Sequence, residues 1–184
     1  MGRCDITKAR RKKEEFRMLQ EIFDRRSVRH YTEEPVTRDQ LTEMLRAAMN
    51  APSAKNCQEW RFVVITDRAT LDRISEIHPF SKMMLQAQAA ILVSCDMDLA
   101  FTDGHGYLDC GAAIENLLLE AVHQGLSTCW CGIAPMVDRI SNFRMEFELP
   151  GNLVPMGIVA VGHAQQSRDR KDQYDPEKVV WWKN

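Results

Sequence analysis

The sequence has little glycine and proline, 9 and 7 among 184 residues, and it has no long apolar run. The low Gly and Pro content excludes collagen-like and low-complexity chains, and 45% hydrophobic against 27% charged residues excludes disorder. No stretch reaches the roughly 18–20 apolar residues that cross a bilayer, and the first residues lack the apolar segment of a signal peptide. We therefore expect one globular domain over residues 1–184, located in the cytoplasm and without a membrane partner.

The chain also lacks an excess of positive charge. It has 24 Lys and Arg against 26 Asp and Glu, a formal charge of -2, so it offers no overall basic field for nucleic acid. Its basic residues are concentrated in residues 8–17, and residues 1–13 form a basic N-terminal extension. This run predicts the solvated face of a first helix that ends near Arg25, and a membrane-surface patch is the alternative.

The signatures of metal, disulfide and hydrolase chemistry are missing. Six scattered cysteines without a C-x-x-C pair indicate reduced thiols that pack in the core, and the single Cys129-x-Cys131 is a weak metal signal. Residues 104–109 nearly match the dinucleotide-binding fingerprint, but Asp109 replaces its third glycine. Since no Ser or Cys nucleophile accompanies a histidine, we expect no catalytic triad.

Apolar spacing predicts helices that alternate with strands. Thr37 and Gln40 form a capping box that opens a second helix. Residues 60–66 predict a buried strand, and further strands are predicted at 90–95, 127–133 and 156–161. Residues 107–124 predict the longest helix, and because its apolar residues cover more than one stripe we expect it to be buried on two sides. The pattern indicates an α+β fold.

Residues 25–29 place three arginines and a serine where a helix gives way to an extended segment. Guanidinium groups stay charged and match phosphate oxygens in pairs, so Arg25, Arg26 and Arg29 beside Ser27 are suited to one terminal phosphate. The alternative is an exposed basic helix end that its own dipole favours.

Two further stretches carry polar or small residues between regular elements. Residues 52–60 form a polar loop with Ser, Lys, Asn and Gln side chains, which suits a polar planar ligand; an ordinary helix-to-strand connection is the alternative. Residues 125–133 have small side chains around Trp130, so main-chain N–H groups there can reach a ligand.

These stretches, in this order, resemble the FMN-dependent nitroreductase family over about residues 19–180. Six motifs in register make the resemblance specific. They are Arg-Arg-Ser-Val-Arg-His-Tyr at 25–31, Glu-Glu-Pro-Val at 33–36, Ala-Pro-Ser-x-x-Asn-x-Gln-x-Trp at 51–60, Asp-Cys-Gly-Ala-Ala-Ile-Glu-Asn-Leu at 109–117, Gly-Leu-x-Thr-Cys-Trp at 125–130 and Val-x-Val-Gly-His at 159–163.

The resemblance implies a role for each stretch. The arginine cluster with its serine would hold the flavin phosphate, the loop at 52–58 would meet the ring and ribityl chain, and the backbone at 130–132 would lie near the reactive ring edge. A basic residue after the last strand commonly completes the phosphate site, and among Arg168, Arg170 and Lys171 we favour Lys171. The cofactor-binding residues so implied are Arg25, Arg26, Ser27, Arg29, Pro52, Ser53, Asn56, Gln58, Trp130, Cys131, Gly132 and Lys171.

The family further implies a homodimeric three-layer α+β sandwich, a central mostly antiparallel sheet flanked by helices, with two FMN sites at the subunit interface. NADH or NADPH would reduce FMN, and an electron-poor acceptor such as a nitroaromatic or a quinone would take the electrons, so no catalytic side chain is implied. An FMN storage or sensing protein with little turnover is the alternative. A third hypothesis, an interaction protein without cofactor, rests on residues 8–17 alone.

The sequence departs from the family pattern in three ways. Glu59 stands where the family usually has proline, the chain is short, and the connection from Asp96 to Tyr107 is too brief for the substrate lid of the related deiodinases. We therefore do not expect an aryl dehalogenase. An open substrate side predicts a broad range of acceptors.

Overall fold

The computed structural model describes residues 18–166, 169 and 172–183. Helices and strands follow one another along this part of the chain. They are α1 (Gln20–Asp24), α2 (Arg38–Met49), β1 (Trp60–Ile65), α3 (Arg68–Ile77), β2 (Ala89–Asp96), α4 (Asp103–His123), β3 (Ser127–Gly132), α5 (Val137–Glu146) and β4 (Leu153–Gly162), with short 3-10 helices at Ala54–Asn56, Lys82–Leu85 and Pro176–Lys178.

The strands form one antiparallel sheet in the order β1-β2-β4-β3. The central strand β2 pairs on both sides, so Ile91 lies opposite Val64 of β1 and Val159 of β4. A strand that is paired on both edges and covered on both faces must be apolar throughout. Accordingly, residues 89–95 of β2 are all buried.

Helices cover both faces of the sheet. On one face α2 and α4 pack against it, with Met44 and Ile114 in one apolar cluster with Val159. On the other face α3 and α5 contribute a second cluster, in which Leu71 and Phe143 accompany Leu92, Ile158 and other buried residues. This helix–sheet–helix arrangement confirms the predicted three-layer α+β sandwich.

Helix ends follow the local chemistry of the sequence. The capping box is confirmed: Gln40 N–H donates to Thr37 Oγ1 at 3.2 Å, and Thr37 N–H donates to Gln40 Oε1 at 2.9 Å. Helix α4 begins at Asp103, earlier than predicted, because Thr102 caps it by accepting from His105 N–H. It ends where Gly125 adopts a φ of +74°, a conformation that costs glycine little.

One expectation is corrected by the described residues. The strand predicted as buried, β1, lies at the sheet edge, and Val64 is 40% exposed because only β2 pairs with it. Within the single chain, helix α4 buries one stripe of side chains, and Leu108 outside that stripe is 72% exposed. The described part of the first predicted helix starts at Gln20, whereas residues 8–17 lie outside the described residues. Within the described chain, no helix has the length and apolar character needed to cross a membrane.

Candidate functional site

An extended segment follows α1 and runs along the open edge of β3. The chain leaves the helix at Arg25, which is extended (φ -60°, ψ 119°). Ser27 forms a parallel bridge with Thr128, and Val28 N–H donates to the Thr128 carbonyl oxygen at 2.9 Å. Successive side chains of an extended segment point to opposite sides, so neighbouring residues here have different surroundings.

This alternation separates the arginines that the sequence groups together. Arg25 and Ser27 line a cavity of about 260 Å³ that Trp130 and Gly132 also line. Arg26 instead lines a second cavity of about 150 Å³, on the other side of the segment. Arg29 is exposed on the surface. The structure therefore joins Arg25 and Ser27 at one cavity and places Arg26 apart from them.

The edge of β3 presents peptide groups to the same side as the segment. Because the Thr128 carbonyl points outward, alternation along an antiparallel strand also turns the peptide groups of Trp130 and Gly132 outward and that of Cys131 toward β4. The outward Gly132 carbonyl oxygen accepts from Arg139 Nη1 at 2.9 Å. The side chain of Cys131 is buried on the opposite face of the sheet. Trp130 and Gly132 thus offer N–H donors to a ligand at this edge.

The indole of Trp130 forms an aromatic wall of the cavity and is 41% exposed. It lies over Gly157 of the neighbouring strand. A β-carbon at position 157 would stand 2.3 Å from the indole Nε1 atom, closer than any non-bonded contact allows. The absence of a side chain at Gly157 therefore lets Trp130 occupy this position.

Glu115 on α4 contributes the negative charge of the cavity, a role that sequence reasoning missed. Its Oε1 lies 3.4 Å from Arg25 Nε, and the two side chains are 48% and 30% exposed. Burial raises the pKa of Glu115, and the charge of Arg25 partly opposes this effect. A carboxyl group inside an otherwise apolar stretch of α4 was the available signal. An anion that enters the cavity must compete with Glu115 for the guanidinium group.

The loop between α2 and β1 has a strained backbone. Lys55, Asn56 and Gln58 have φ values of 51°, 56° and 50°. For residues with a β-carbon this left-handed conformation costs roughly 1–2 kcal/mol each, and such strain clusters at functional sites. Ser53 Oγ stabilises the loop by accepting from Gln58 N–H at 3.0 Å, and Gln58 Nε2 donates to Asn56 Oδ1 at 3.3 Å.

The loop and the Arg25 cavity are separate sites on one helix. Ala54 N–H donates to Asp109 Oδ2 at 2.8 Å, which anchors the loop on α4. Asp109 precedes Glu115 by six residues, about 9 Å along a helix axis. Ser53 is half-buried in this loop, whereas Pro52, Asn56 and Gln58 are exposed. None of the four lines the Arg25 cavity.

The basic residues that the sequence predicts to complete the phosphate site are not among the residues that the structure describes. Arg168, Arg170 and Lys171 lie outside the described residues. Among the residues that the structure covers, no three His, Cys, Asp or Glu side chains are grouped as ligands of a metal ion. Burial and hydrogen bonding with Cys129 raise the pKa of the Cys131 thiol, which suits a packing role for it.

Comparison with known proteins shows the family to which the chain belongs. The model of the Nitroreductase family matches residues 22–98 and 78–163. A protein of Methanothermobacter thermautotrophicus, provisionally named NADH dehydrogenase/NAD(P)H nitroreductase, is 34% identical over 162 residues, which cover 88% of this chain and 85% of that protein. The chain therefore belongs to the nitroreductase family.

Solved structures agree with this assignment. A Bacteroides thetaiotaomicron protein with the same provisional name is 39% identical, with a TM-score of 0.85 over 89% of this chain and 95% of that chain. A provisionally named nitroreductase of Desulfovibrio desulfuricans, solved in complex with FMN, is 27% identical, with a TM-score of 0.78 over 89% of this chain and 95% of that one.

Proposed function

We propose that this chain is an FMN-dependent NAD(P)H oxidoreductase that passes electrons from NADH or NADPH to an electron-poor acceptor such as a nitroaromatic or a quinone. The observation that carries this proposal is the cavity where Arg25 and Ser27 meet the outward peptide groups of Trp130 and Gly132. A phosphate requires charge-assisted donors, and a polar planar ring requires N–H donors beside an apolar wall. The residues present fit both parts of FMN.

In this proposal, the groups of the protein itself bind FMN and orient it. The guanidinium of Arg25 and the hydroxyl of Ser27 would hold the phosphate, with help from Arg29 and Lys171 as the sequence predicts, whereas Arg26 lines the other cavity. Pro52, Ser53, Asn56 and Gln58 would contact the ring and ribityl chain, and the backbone at 130–132 would lie at the reactive ring edge. FMN, when bound, supplies the redox chemistry, so no side chain is required as acid or base.

A second copy of the chain completes the site in this proposal. The cavity of about 260 Å³ is smaller than the roughly 300–1,000 Å³ of ordinary ligand pockets. Leu108, Trp181 and Trp182 are 72%, 72% and 81% exposed, and large exposed apolar groups mark interfaces. Sedimentation of the full chain should give twice the mass of one chain, and a monomer that binds FMN fully would contradict the homodimer.

An anaerobic absorbance spectrum tests the function. Purified protein reconstituted with FMN is titrated with NADH and then with NADPH, and the bound chromophore is identified by mass. Bleaching of the flavin, followed by recovery of its absorbance on addition of a nitroaromatic or a quinone, is the expected result. Flavin that binds tightly and stays oxidised with both nucleotides would favour the storage or sensing function. The cytoplasmic location stays a prediction of the sequence.

A further inference from the structure

Glu59 is a buried acid without a partner. It directly precedes β1 and is completely buried. Among the described residues, neither of its carboxylate oxygens has a hydrogen-bond partner. An ionised carboxylate in such a place lacks both water and a donor, which disfavours the charged form strongly.

The carboxyl group that faces Glu59 belongs to Asp109 of α4. Asp109 is itself only 9% exposed, and its Oδ2 accepts the Ala54 N–H at 2.8 Å. Two ionised carboxylates that face each other in a buried place repel each other and provide no donor. One proton between them removes the repulsion and supplies the hydrogen bond that Glu59 lacks.

We propose that Glu59 and Asp109 share one proton at neutral pH and that this proton-linked pair positions the loop at residues 53–58. The Glu59 carboxyl group donates to Asp109, and Asp109 in turn accepts from Ala54, next to Ser53. Glu59 and Asp109 are therefore positioning residues, which hold the loop against α4. The loop's contact with flavin rests on the proposed function, whereas the shared proton does not.

Other titratable groups around the pair are few. His105 lies one turn earlier on α4, with its Nδ1 at 2.7 Å from Thr102 Oγ1. The thiols of Cys95 on β2 and Cys110 on α4 are buried, and burial with mutual hydrogen bonding raises the pKa of Cys110. His105 favours the ionised form of Glu59, and burial, which favours the protonated form, is the larger effect.

The direction of the pKa shift agrees with the geometry. Burial is the largest effect and raises the pKa of Glu59, its own backbone N–H and His105 oppose this in part, and the neighbouring Asp109 raises it further. Since the folded pKa exceeds the unfolded one, the folded chain binds more protons than the unfolded chain between the two values. Stability must therefore fall as the pH rises from the ordinary range of glutamate through the raised pKa of Glu59.

Infrared spectroscopy tests the proton directly, with Glu59→Gln as the variant and the exposed Glu33→Gln as its matched control. At pH 7 the full-length protein and Glu33→Gln should both show the C=O stretching band of a protonated carboxyl group, and Glu59→Gln should lack it. Urea unfolding between pH 5 and pH 8 should show a decline in stability that Glu59→Gln abolishes. Absence of the band from the unmodified protein, or its persistence in Glu59→Gln, would overturn the shared proton.

Exchange of the Ala54 amide tests the positioning role. Asp109→Ala removes the acceptor and should speed this exchange at least tenfold, whereas Asp109→Asn keeps an acceptor oxygen and should restore most of the protection. Unchanged exchange in Asp109→Ala would overturn the positioning role. Faster exchange with unchanged FMN affinity would uphold that role and contradict the proposed contact of the loop with flavin.

Discussion

The centre of the sheet and the rim of the candidate site differ in how well local chemistry agrees with the fold. Strands β2 and β4 are mostly apolar, buried and paired, with one buried hydroxyl, that of Ser94, left without a described partner. The rim, defined as residues 25–29 and 53–59, has non-glycine residues with positive φ and the buried acid Glu59. Proteins tolerate such local conflicts where a ligand or a reaction requires them. The difference indicates that the centre provides stability, and it agrees with the binding role proposed for the rim.

The largest effect on the free energy of unfolding is expected at the centre of the sheet. Leu92 on β2 is completely buried, so Leu92→Ala should lower the free energy of unfolding by about 2–5 kcal/mol through lost burial and a residual cavity. Val64→Ala on the edge strand β1 is the matched control and should cost much less, because Val64 is 40% exposed. Urea unfolding at one protein concentration measures both. Equal losses would contradict the assignment of stability to the central strands.

The effect of intermediate size is a loss of FMN affinity, which we expect from a change at the Arg25 cavity. Arg25→Ala should weaken FMN binding by about 1.5–3 kcal/mol, because a charge-assisted hydrogen bond to phosphate is lost. Arg26→Ala serves as the control, since Arg26 lines the other cavity. Fluorescence titration with FMN compares the two affinities. A loss in Arg26→Ala as large as that in Arg25→Ala would show that both arginines hold the phosphate, as the sequence predicts.

The smallest effect is expected at the strained loop. Gln58→Gly should raise the free energy of unfolding by up to about 1 kcal/mol, because glycine accepts a positive φ without the clash of a β-carbon. Gln165→Gly, at a residue with negative φ, should instead lower it by about 0.4–1 kcal/mol through the added freedom of the unfolded chain. Thermal unfolding distinguishes the two signs. A loss of stability in Gln58→Gly would show that this backbone stores no strain.

Local rules predicted most of the fold. The capping box at Thr37 and the apolar spacing of α2 and α3 depend on neighbours within one turn, so the sequence alone indicates them. The exposure of β1 depends on its place at the sheet edge, which no local pattern encodes. The start of α4 was predicted late because Gly104 and Gly106 weaken the helical pattern, although Thr102 provides its cap.

The candidate site was predicted only in part. The arginine cluster is visible in sequence, but its division between two cavities follows from the path of the segment along β3. The pair of Glu59 and Asp109 joins residues that are 50 positions apart, so only the fold brings them together. Two separate signals were present: a glutamate where the family usually has proline, and an aspartate in an apolar helix.

The contact between Trp130 and Gly157 has an evolutionary consequence. A new β-carbon at position 157 would stand 2.3 Å from the indole nitrogen, so a change at position 157 requires a change in the position of the Trp130 side chain. A lineage that acquires alanine at 157 must either move the indole of Trp130 away or replace it with a smaller side chain. Across descendants of this chain, the two positions should therefore covary, and the aromatic wall of the cavity should change together with position 157.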